Sequence, residues 1–124
     1  MNQPKINILI LNWNGIDVLN ACLESILSST YENYIITVID NGSVDKSIDN
    51  IDKISSKINV IKIGENLGYS KGYNFAFNKI KSYHDDYYFL LNNDTIINKD
   101  TLESLNLSLN HFGPNNIYSP KIIN

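Results

Sequence analysis

The sequence predicts a single α/β domain with a largely parallel sheet and helices on both faces of that sheet. Short apolar runs typical of strands alternate along the chain with segments whose apolar residues recur at helical spacing. Strands that are joined through a helix return to the same end of the sheet and are therefore parallel. The 124 residues are 43% hydrophobic, which suffices for one modest core, so one domain is expected over residues 1–124.

Four short apolar runs are predicted to form the strands. In chain order they are Ile6 to Leu11, Ile35 to Ile39, Asn59 to Ile63 and Tyr87 to Leu91. The fourth run has five apolar or aromatic residues in succession, which predicts a buried strand. A further short strand is expected at Ile117 to Ser119, between chain breaks at Gly113-Pro114 and Pro120.

Four segments between and after these strands are predicted to be helices. The first covers about Asp17 to Ser28, and Asp45 is expected to cap the second. The apolar stripes of the four segments are, in order, Val18, Leu19, Cys22, Leu23, Ile26 and Leu27; Ile48, Ile51 and Ile54; Tyr69, Tyr73, Ala76, Phe77 and Ile80; and Leu102, Leu105 and Leu109. Because Cys22 lies within its stripe, its expected role is packing rather than chemistry.

Composition argues against several classes of function. All ten basic residues are lysines and the formal net charge is −3, so a nucleic-acid-binding surface is not expected. The single cysteine excludes an internal disulfide and a cysteine-based zinc cluster. No apolar run approaches membrane-spanning length and no signal segment is recognisable, so no transmembrane segment is expected and the expected location is the cytoplasm.

A cluster of polar residues follows each predicted strand, either directly or after a few residues. The clusters are Asn12-Trp13-Asn14-Gly15, Asp40-Asn41-Gly42-Ser43, Asn66-Leu67-Gly68 and Asn92-Asn93-Asp94. The carboxyl ends of parallel strands lie along one edge of a sheet, where ligands of α/β proteins bind. A single cluster is explained as a turn, but four on the same edge indicate a ligand site.

Each cluster fits a chemical role and also a local structural one. The Asp40 carboxylate can accept the N3–H of uracil or thymine, or a ribose hydroxyl, or it can form an Asx-turn; the adjacent Asn41 favours a ligand. Gly68 and Lys71 at the start of a helix can face an anion, although Lys71 can equally be solvated. Asn92-Asn93-Asp94 supplies the oxygen ligands that Mg²⁺ prefers, or it forms a simple turn.

Four motifs occur in the order found in family 2 glycosyltransferases, and the chain most resembles the rhamnosyltransferase-like branch. The motifs are Ile8 to Gly15, Val38 to Ser47, Asn66 to Asn74 and Leu90 to Asp94. The resemblance implies a GT-A fold, a Rossmann-like three-layer α/β/α sandwich. It also implies a dTDP- or UDP-linked sugar donor, a divalent metal (Mg²⁺ or Mn²⁺), and a glycan or lipid-linked acceptor in cell-surface polysaccharide synthesis at the inner face of the membrane.

The resemblance implies roles for the residues of the first three motifs. Asn12 and Asn14 would line the nucleotide pocket, while Asp40 and Asn41 would bind the base and the ribose. The residues implied to border the donor are Gly68, Lys71 and Asn74.

The fourth motif matches the family's D-x-D element. The resemblance implies that Asn92 and Asn93 contact the donor and that Asp94 is the metal ligand. The first Asp of the element is Asn92 here, which leaves one carboxylate, so weak metal affinity is expected without the donor diphosphate. Because the chain has no arginine, the metal would also neutralise the leaving diphosphate.

The sequence does not identify the catalytic residue. In this family an acidic general base comes from the part of the domain after the D-x-D element, and inverting transfer needs it opposite the leaving group. After Asp94 the only acids are Asp100 and Glu103, at the start of a predicted helix, where capping and helix-dipole roles suffice. The chain is therefore expected to be a truncated, donor-binding half that binds donor and metal but transfers little or no sugar.

Two alternatives remain. A non-catalytic nucleotide-sugar-binding module would carry the same motifs, since truncation and loss of catalysis look alike in this chain. A response-regulator receiver has a similar length and alternation, but it needs an acidic pair where this chain has Asn12 and Asn14. It also needs a phosphoacceptor aspartate after the third strand, where this chain has Ile63-Gly64-Glu65.

Overall fold

The computed structural model describes residues 3–81 and 83–123. In these ranges the elements are β1 (Ile6–Asn12), α1 (Leu19–Leu27), β2 (Tyr34–Asp40), a 3-10 helix (Ile51–Lys53), β3 (Ile58–Lys62), α2 (Tyr69–Ile80), β4 (Tyr87–Asn92) and α3 (Thr101–Phe112). A parallel sheet with the strand order β3-β2-β1-β4 packs against helices on both faces, which confirms the predicted fold class. None of the helices described has both the length and the apolar character needed to cross a membrane.

Two hydrophobic clusters, one on each face, hold the sheet between the helices. Successive side chains of a strand point to opposite faces, and the central strand β1 follows this rule. Ile8 and Ile10 belong to the larger cluster together with the buried residues of α1, whereas Leu9 belongs to the smaller cluster with α2. A strand that is covered on both faces reads as a continuous apolar run, which is why β1 and β2 are recognisable from sequence.

β4 lies at an edge of the sheet, which corrects the prediction of a buried strand. Within the described ranges it pairs with β1 alone. Tyr88 and Leu90 are 40% and 44% exposed, and Leu91 is the residue of β4 that is buried. An apolar run predicts that a strand forms, but it does not predict how many strands pair with it.

The segment after β2 forms turns and a short 3-10 helix, so the predicted second α-helix is wrong. The Asp45 carboxylate accepts hydrogen bonds from the backbone N–H and the hydroxyl of Ser47, which bends the chain locally. Asn50 has a left-handed conformation with φ of 60°, which interrupts a right-handed helix. Of the predicted stripe, Ile51 is buried but Ile54 is half exposed.

The chain after α3 forms no regular element over residues 113–123, so the short strand expected at Ile117 to Ser119 is wrong. Ile117 is fully exposed, and Ile122 is largely exposed. Residues 119–123 face β4 across a groove of about 790 Å³, which reaches Asn92 at the end of that strand. The edge of β4 is therefore open to a groove.

Candidate functional site

The loops that follow the strands meet along one edge of the sheet, referred to below as the rim. The strand register places Asn12 beside Asp40 and places Leu11 beside Asn92. On its other side Asp40 is paired with Lys62 at the end of β3. The carboxyl ends of all four strands thus form the rim, which is where α/β proteins bind ligands.

Asn12 is fully buried beneath the rim, and its side chain bonds within the protein. Its Nδ2 donates to Ser47 Oγ at 2.9 Å and to Ser43 Oγ at 3.3 Å. Its Oδ1 accepts from Nδ2 of Asn93 at 3.0 Å. Asn12 therefore ties together the loops that follow β1, β2 and β4. Its contact with a nucleotide stays a prediction, whereas support of the loops is the role that these bonds show.

Gly15 permits this arrangement because a larger residue would not fit. A Cβ atom at this position would lie 2.2 Å from Asn12 Oδ1 and 2.6 Å from Asn93 Nδ2. Those two atoms form the hydrogen bond that joins the loops after β1 and β4. A side chain at position 15 would therefore displace these two side chains and break the hydrogen bond between the loops.

Asn14 joins the first and second loops at the outer side of the rim. It has φ of 48°, a left-handed conformation that asparagine tolerates. Its backbone N–H donates to Ser43 Oγ at 2.9 Å, and its Oδ1 accepts from the N–H of Val44 at 2.8 Å and from that of Asp45 at 3.3 Å. The side chain of Asn14 thus holds the second loop against the first.

Three residues of the second loop complete this network, although the sequence analysis gave none of them an individual role in ligand binding. They are Ser43, Asp45 and Ser47. Asp45 accepts the N–H of Ile16 at 3.0 Å, and the hydrogen bond from the Ser47 hydroxyl lowers the pKa of its carboxyl below the ordinary value. Short hydroxyl residues spaced closely behind a strand-end aspartate are the signal that identifies them.

Asn41 fixes the loop before α2. It is buried, and its Oδ1 accepts from the N–H of Leu67 at 2.9 Å. Its Nδ2 donates to Asn66 Oδ1 at 3.1 Å and to the Gly68 carbonyl at 3.2 Å. The predicted contact of Asn41 with base or ribose stays a prediction, since the bonds in the structure hold residues 66–68 in place.

Asp40 is a buried carboxylate of the rim with one oxygen that is free to accept a hydrogen bond. The residue is 5% exposed. Its Oδ1 accepts from the N–H of Ser43 at 3.3 Å, which is the Asx-turn interaction that the sequence left as an alternative. Its Oδ2 makes no hydrogen bond with any residue that the structure describes. This oxygen is not among the buried polar atoms that lack a partner, so it is accessible at the rim and can accept a hydrogen bond from the N–H or O–H group of a ligand.

The Asn92-Asn93-Asp94 stretch forms a turn that exposes one carboxylate. The N–H of Thr95 donates to the Asn92 carbonyl at 3.1 Å, which closes the turn. Asp94 is exposed, and its carboxylate makes no hydrogen bond or ion pair within residues 3–81 and 83–123. The sequence left a metal site and a simple turn as alternatives for this stretch. The two are compatible, because the turn exposes the Asp94 carboxylate.

A metal ion at this turn would need ligands from outside the protein. Within the described part of the chain, no group of three or more His, Cys, Asp or Glu side chains could hold a metal ion. One exposed carboxylate with neighbouring amide oxygens fits Mg²⁺ or Mn²⁺ when phosphate oxygens and water complete the shell. The donor set thus fits a metal shared with a diphosphate rather than a preformed site.

The start of α2 presents a cation and uncapped backbone N–H groups. Gly68 precedes the helix with φ of 80°, and no side chain caps it. Lys71 and Asn74 are exposed, and Lys71 makes no ion pair with residues that the structure describes. A helix N-terminus with a lysine in its first turn attracts anions.

Cys22 lies beneath the turn as well as in the apolar stripe of α1, so the expected packing role is incomplete. Its thiol lies 3.7 Å from the Asn92 carbonyl oxygen. Burial and, to a lesser extent, the charge of Asp94 raise the pKa of Cys22 to about 11. The thiol is therefore protonated at neutral pH and can donate to that carbonyl.

Comparison with known sequences gives one family. The model of glycosyl transferase family 2 matches residues 7–119. An uncharacterized glycosyltransferase from Haemophilus influenzae is 35% identical over 116 residues, which are 90% of this chain and 45% of the relative. Glycosyltransferase GlyA from Streptococcus pneumoniae is 30% identical over 106 residues, which are 83% of this chain and 15% of the relative. The chain thus spans less than half the length of either relative.

Solved structures share the fold. TarS residues 1–349 from S. aureus, in complex with UDP-GlcNAc, has a TM-score of 0.77 at 19% identity, covering 94% of this chain and 37% of that one. Mannosyltransferase PcManGT from Pyrobaculum calidifontis, in complex with GDP-Man and Mn²⁺, has a TM-score of 0.78 at 15% identity, covering 88% of this chain and 33% of that one. At these identities the similarity concerns the fold, and it confirms the predicted GT-A type.

Proposed function

This chain belongs to glycosyl transferase family 2, and we propose that its rim binds the nucleotide-diphosphate part of a sugar donor. The donor is dTDP- or UDP-linked, in keeping with the resemblance to the rhamnosyltransferase-like branch. The whole protein would transfer the sugar to a glycan or lipid-linked acceptor in cell-surface polysaccharide synthesis, in the cytoplasm at the inner face of the membrane.

The observation that carries this proposal is the free Oδ2 of Asp40. The carboxylate is buried at the end of a central strand, and its other oxygen is already used by the Ser43 N–H. The N3–H of uracil or thymine, or a ribose hydroxyl, would supply the missing donor. A hydrogen bond to a charged acceptor is stronger than one between neutral groups.

The asparagines of the first two loops would contribute by keeping the base pocket in shape. Asn12 and Asn14 hold the loops after β1 and β2 together, and Asn41 holds the loop before α2. Because these bonds join protein groups to one another, little ordering of the loops is expected to remain when the nucleotide binds. A site that is organised beforehand binds more tightly for the same contacts.

The diphosphate would lie between the start of α2 and the Asp94 turn. Gly68, Lys71 and Asn74 would border it on one side, and Asn92 and Asn93 on the other. Asp94 would hold the divalent metal together with the diphosphate oxygens, which suits a site with a single carboxylate. When bound, such a cation neutralises charge on the leaving diphosphate.

The catalytic base would come from another part of the protein. Asp100 immediately precedes α3 and Glu103 lies in its first turn, where acidic residues stabilise the helix dipole. Neither residue is needed to explain donor binding. We therefore propose that this chain binds donor and metal but transfers little or no sugar on its own.

Asp40→Asn tests the proposal with little change in shape. Calorimetric titration with UDP and dTDP is expected to show about tenfold weaker binding or more, because a hydrogen bond to a charged acceptor is lost. Asp52→Asn is the matched control, since Asp52 is an exposed aspartate of the 3-10 helix. Equal affinity of wild type and Asp40→Asn, with both folded by circular dichroism, would contradict the proposed role of the rim.

A further inference from the structure

The segment 92–99 follows β4 and is held from below by α1. The Cys22 thiol donates to the Asn92 carbonyl at 3.7 Å. One helical turn later, the Ser25 hydroxyl accepts the N–H of Ile97 at 3.2 Å and donates to the Cys22 carbonyl at 2.7 Å. Residues three apart on a helix share a face, so both side chains of α1 meet the same segment.

The segment 92–99 is also held by hydrogen bonds at its C-terminal end and by the burial of one of its side chains. The N–H and the hydroxyl of Thr30 both donate to the Lys99 carbonyl, at 2.9 and 3.2 Å. Ile97 is 8% exposed and belongs to the larger hydrophobic cluster. Asp94, in contrast, makes no bond of its own with the described residues. The position of its carboxylate therefore depends on the contacts of its chain neighbours.

We propose that Cys22 and Ser25 are positioning residues for Asp94, because they hold the backbone on both sides of its turn. This inference rests on the proposed function, since it gives α1 a part in metal-dependent donor binding. A site with one carboxylate is sensitive to small displacements, because no second carboxylate compensates when the first moves.

The hydrogen bonds that Ser25 and Cys22 make to the segment differ in strength. Removal of the Ser25 hydroxyl leaves the Ile97 N–H without its partner, which is costly for a backbone group next to a buried side chain. The thiol of Cys22 is a weak donor at a longer distance. Loss of Ser25 is therefore expected to disturb the segment more than loss of Cys22.

Amide hydrogen exchange tests the anchoring without any ligand. In Ser25→Ala, exchange at Thr95 and Ile97 is expected to be about tenfold faster, while exchange in β1 stays as in wild type. Ser28→Ala is the matched control, because the Ser28 hydroxyl donates to Glu24 within its own helix end at 2.9 Å. Unchanged exchange at Thr95 and Ile97 would overturn the anchoring.

The ratio of UDP affinities with and without Mn²⁺ tests the consequence for Asp94. This ratio is expected to fall about tenfold in Ser25→Ala and about threefold in Cys22→Val, whereas metal-free affinity stays unchanged.

The outcomes separate this inference from the proposed function. If the wild type shows a Mn²⁺ effect that all the variants retain, Cys22 and Ser25 do not position Asp94 and the inference is wrong. If the wild type binds UDP without any Mn²⁺ effect, the metal role of Asp94 in the proposed function is wrong, and the positioning role is lost with it. A Mn²⁺ effect that falls in Ser25→Ala and Cys22→Val but survives in Ser28→Ala supports both.

Discussion

The rim has two unlike sides. On the side of β1 and β2, the side chains of Asn12, Asn14 and Asn41 are engaged in holding neighbouring loops. On the side of β4, Asn92 and Asp94 are exposed, and the strand itself has a partner on one side only within the described ranges. Polar residues at strand ends thus divide into those that build a pocket and those that face a ligand.

Asp40 belongs to both groups, because its two carboxylate oxygens have different roles. One of its oxygens takes part in the loop network, and the other makes no hydrogen bond within residues 3–81 and 83–123. The side of β1 and β2 can therefore be rigid and still offer one acceptor to a base or ribose. The side of β4 is held by α1 beneath it and by the hydrogen bond from Asn93 to Asn12. The side chains of Asn92 and Asp94 make no hydrogen bond with the residues that the structure describes.

The largest expected effect on the rigid side comes from Gly15→Ala. The new Cβ would lie 2.2 Å from Asn12 Oδ1, and we expect the free energy of unfolding to fall by about 3 kcal/mol in urea denaturation. Gly64→Ala is the control, because Gly64 has φ of +93° but open space around it; its loss should be about 1–2 kcal/mol. Equal losses would show that the loops after β1 and β4 are not tightly joined.

Asn41→Ala should have the next largest effect. It leaves the Leu67 N–H without its partner, and we expect a loss of about 2 kcal/mol in the free energy of unfolding. Asn59→Ala is the control, because Asn59 is an exposed residue of the edge strand β3 and should change stability by less than about 0.5 kcal/mol. If Asn41→Ala lowers the free energy of unfolding no more than Asn59→Ala does, the hydrogen bonds of Asn41 do not stabilise the loop before α2.

Lys71→Ala should have the smallest effect and should change binding rather than stability. We expect about threefold weaker UDP binding at low salt, with the difference shrinking as ionic strength rises. Lys79→Ala, in the last turn of the same helix, should leave the affinity unchanged. Equal weakening by the two variants would indicate a general charge effect and not an anion site at the start of α2.

Much of the fold could be predicted because its signals are local. Apolar runs and helical spacing identify the four strands and the helices α1, α2 and α3. The edge position of β4 depends on how many strands lie beside it, which Tyr87 to Leu91 do not encode. The helix predicted after Asp45 does not form, because the hydrogen bonds between Asp45 and Ser47 and the left-handed conformation of Asn50 favour turns there.

The candidate site could be predicted in position but not in the use of its side chains. An asparagine offers the same donors and acceptors to a loop as to a ligand, so the sequence could not show that Asn12 and Asn41 bond within the protein. The contributions of Ser25 and Cys22 were also hidden, because they depend on α1 meeting a segment about 70 residues away. The receiver alternative lost its support through the family match.

The most direct test of the account is calorimetric titration of UDP and dTDP, with and without Mn²⁺, into wild type and Asp94→Asn. Asp94 has no bond within the described residues, so the variant should match wild type in stability to within about 0.5 kcal/mol. We predict that Mn²⁺ strengthens nucleotide binding by wild type about tenfold or more and has no effect on Asp94→Asn. Nucleotide binding by wild type that is indifferent to Mn²⁺, or an equal Mn²⁺ effect in Asp94→Asn, would contradict the account.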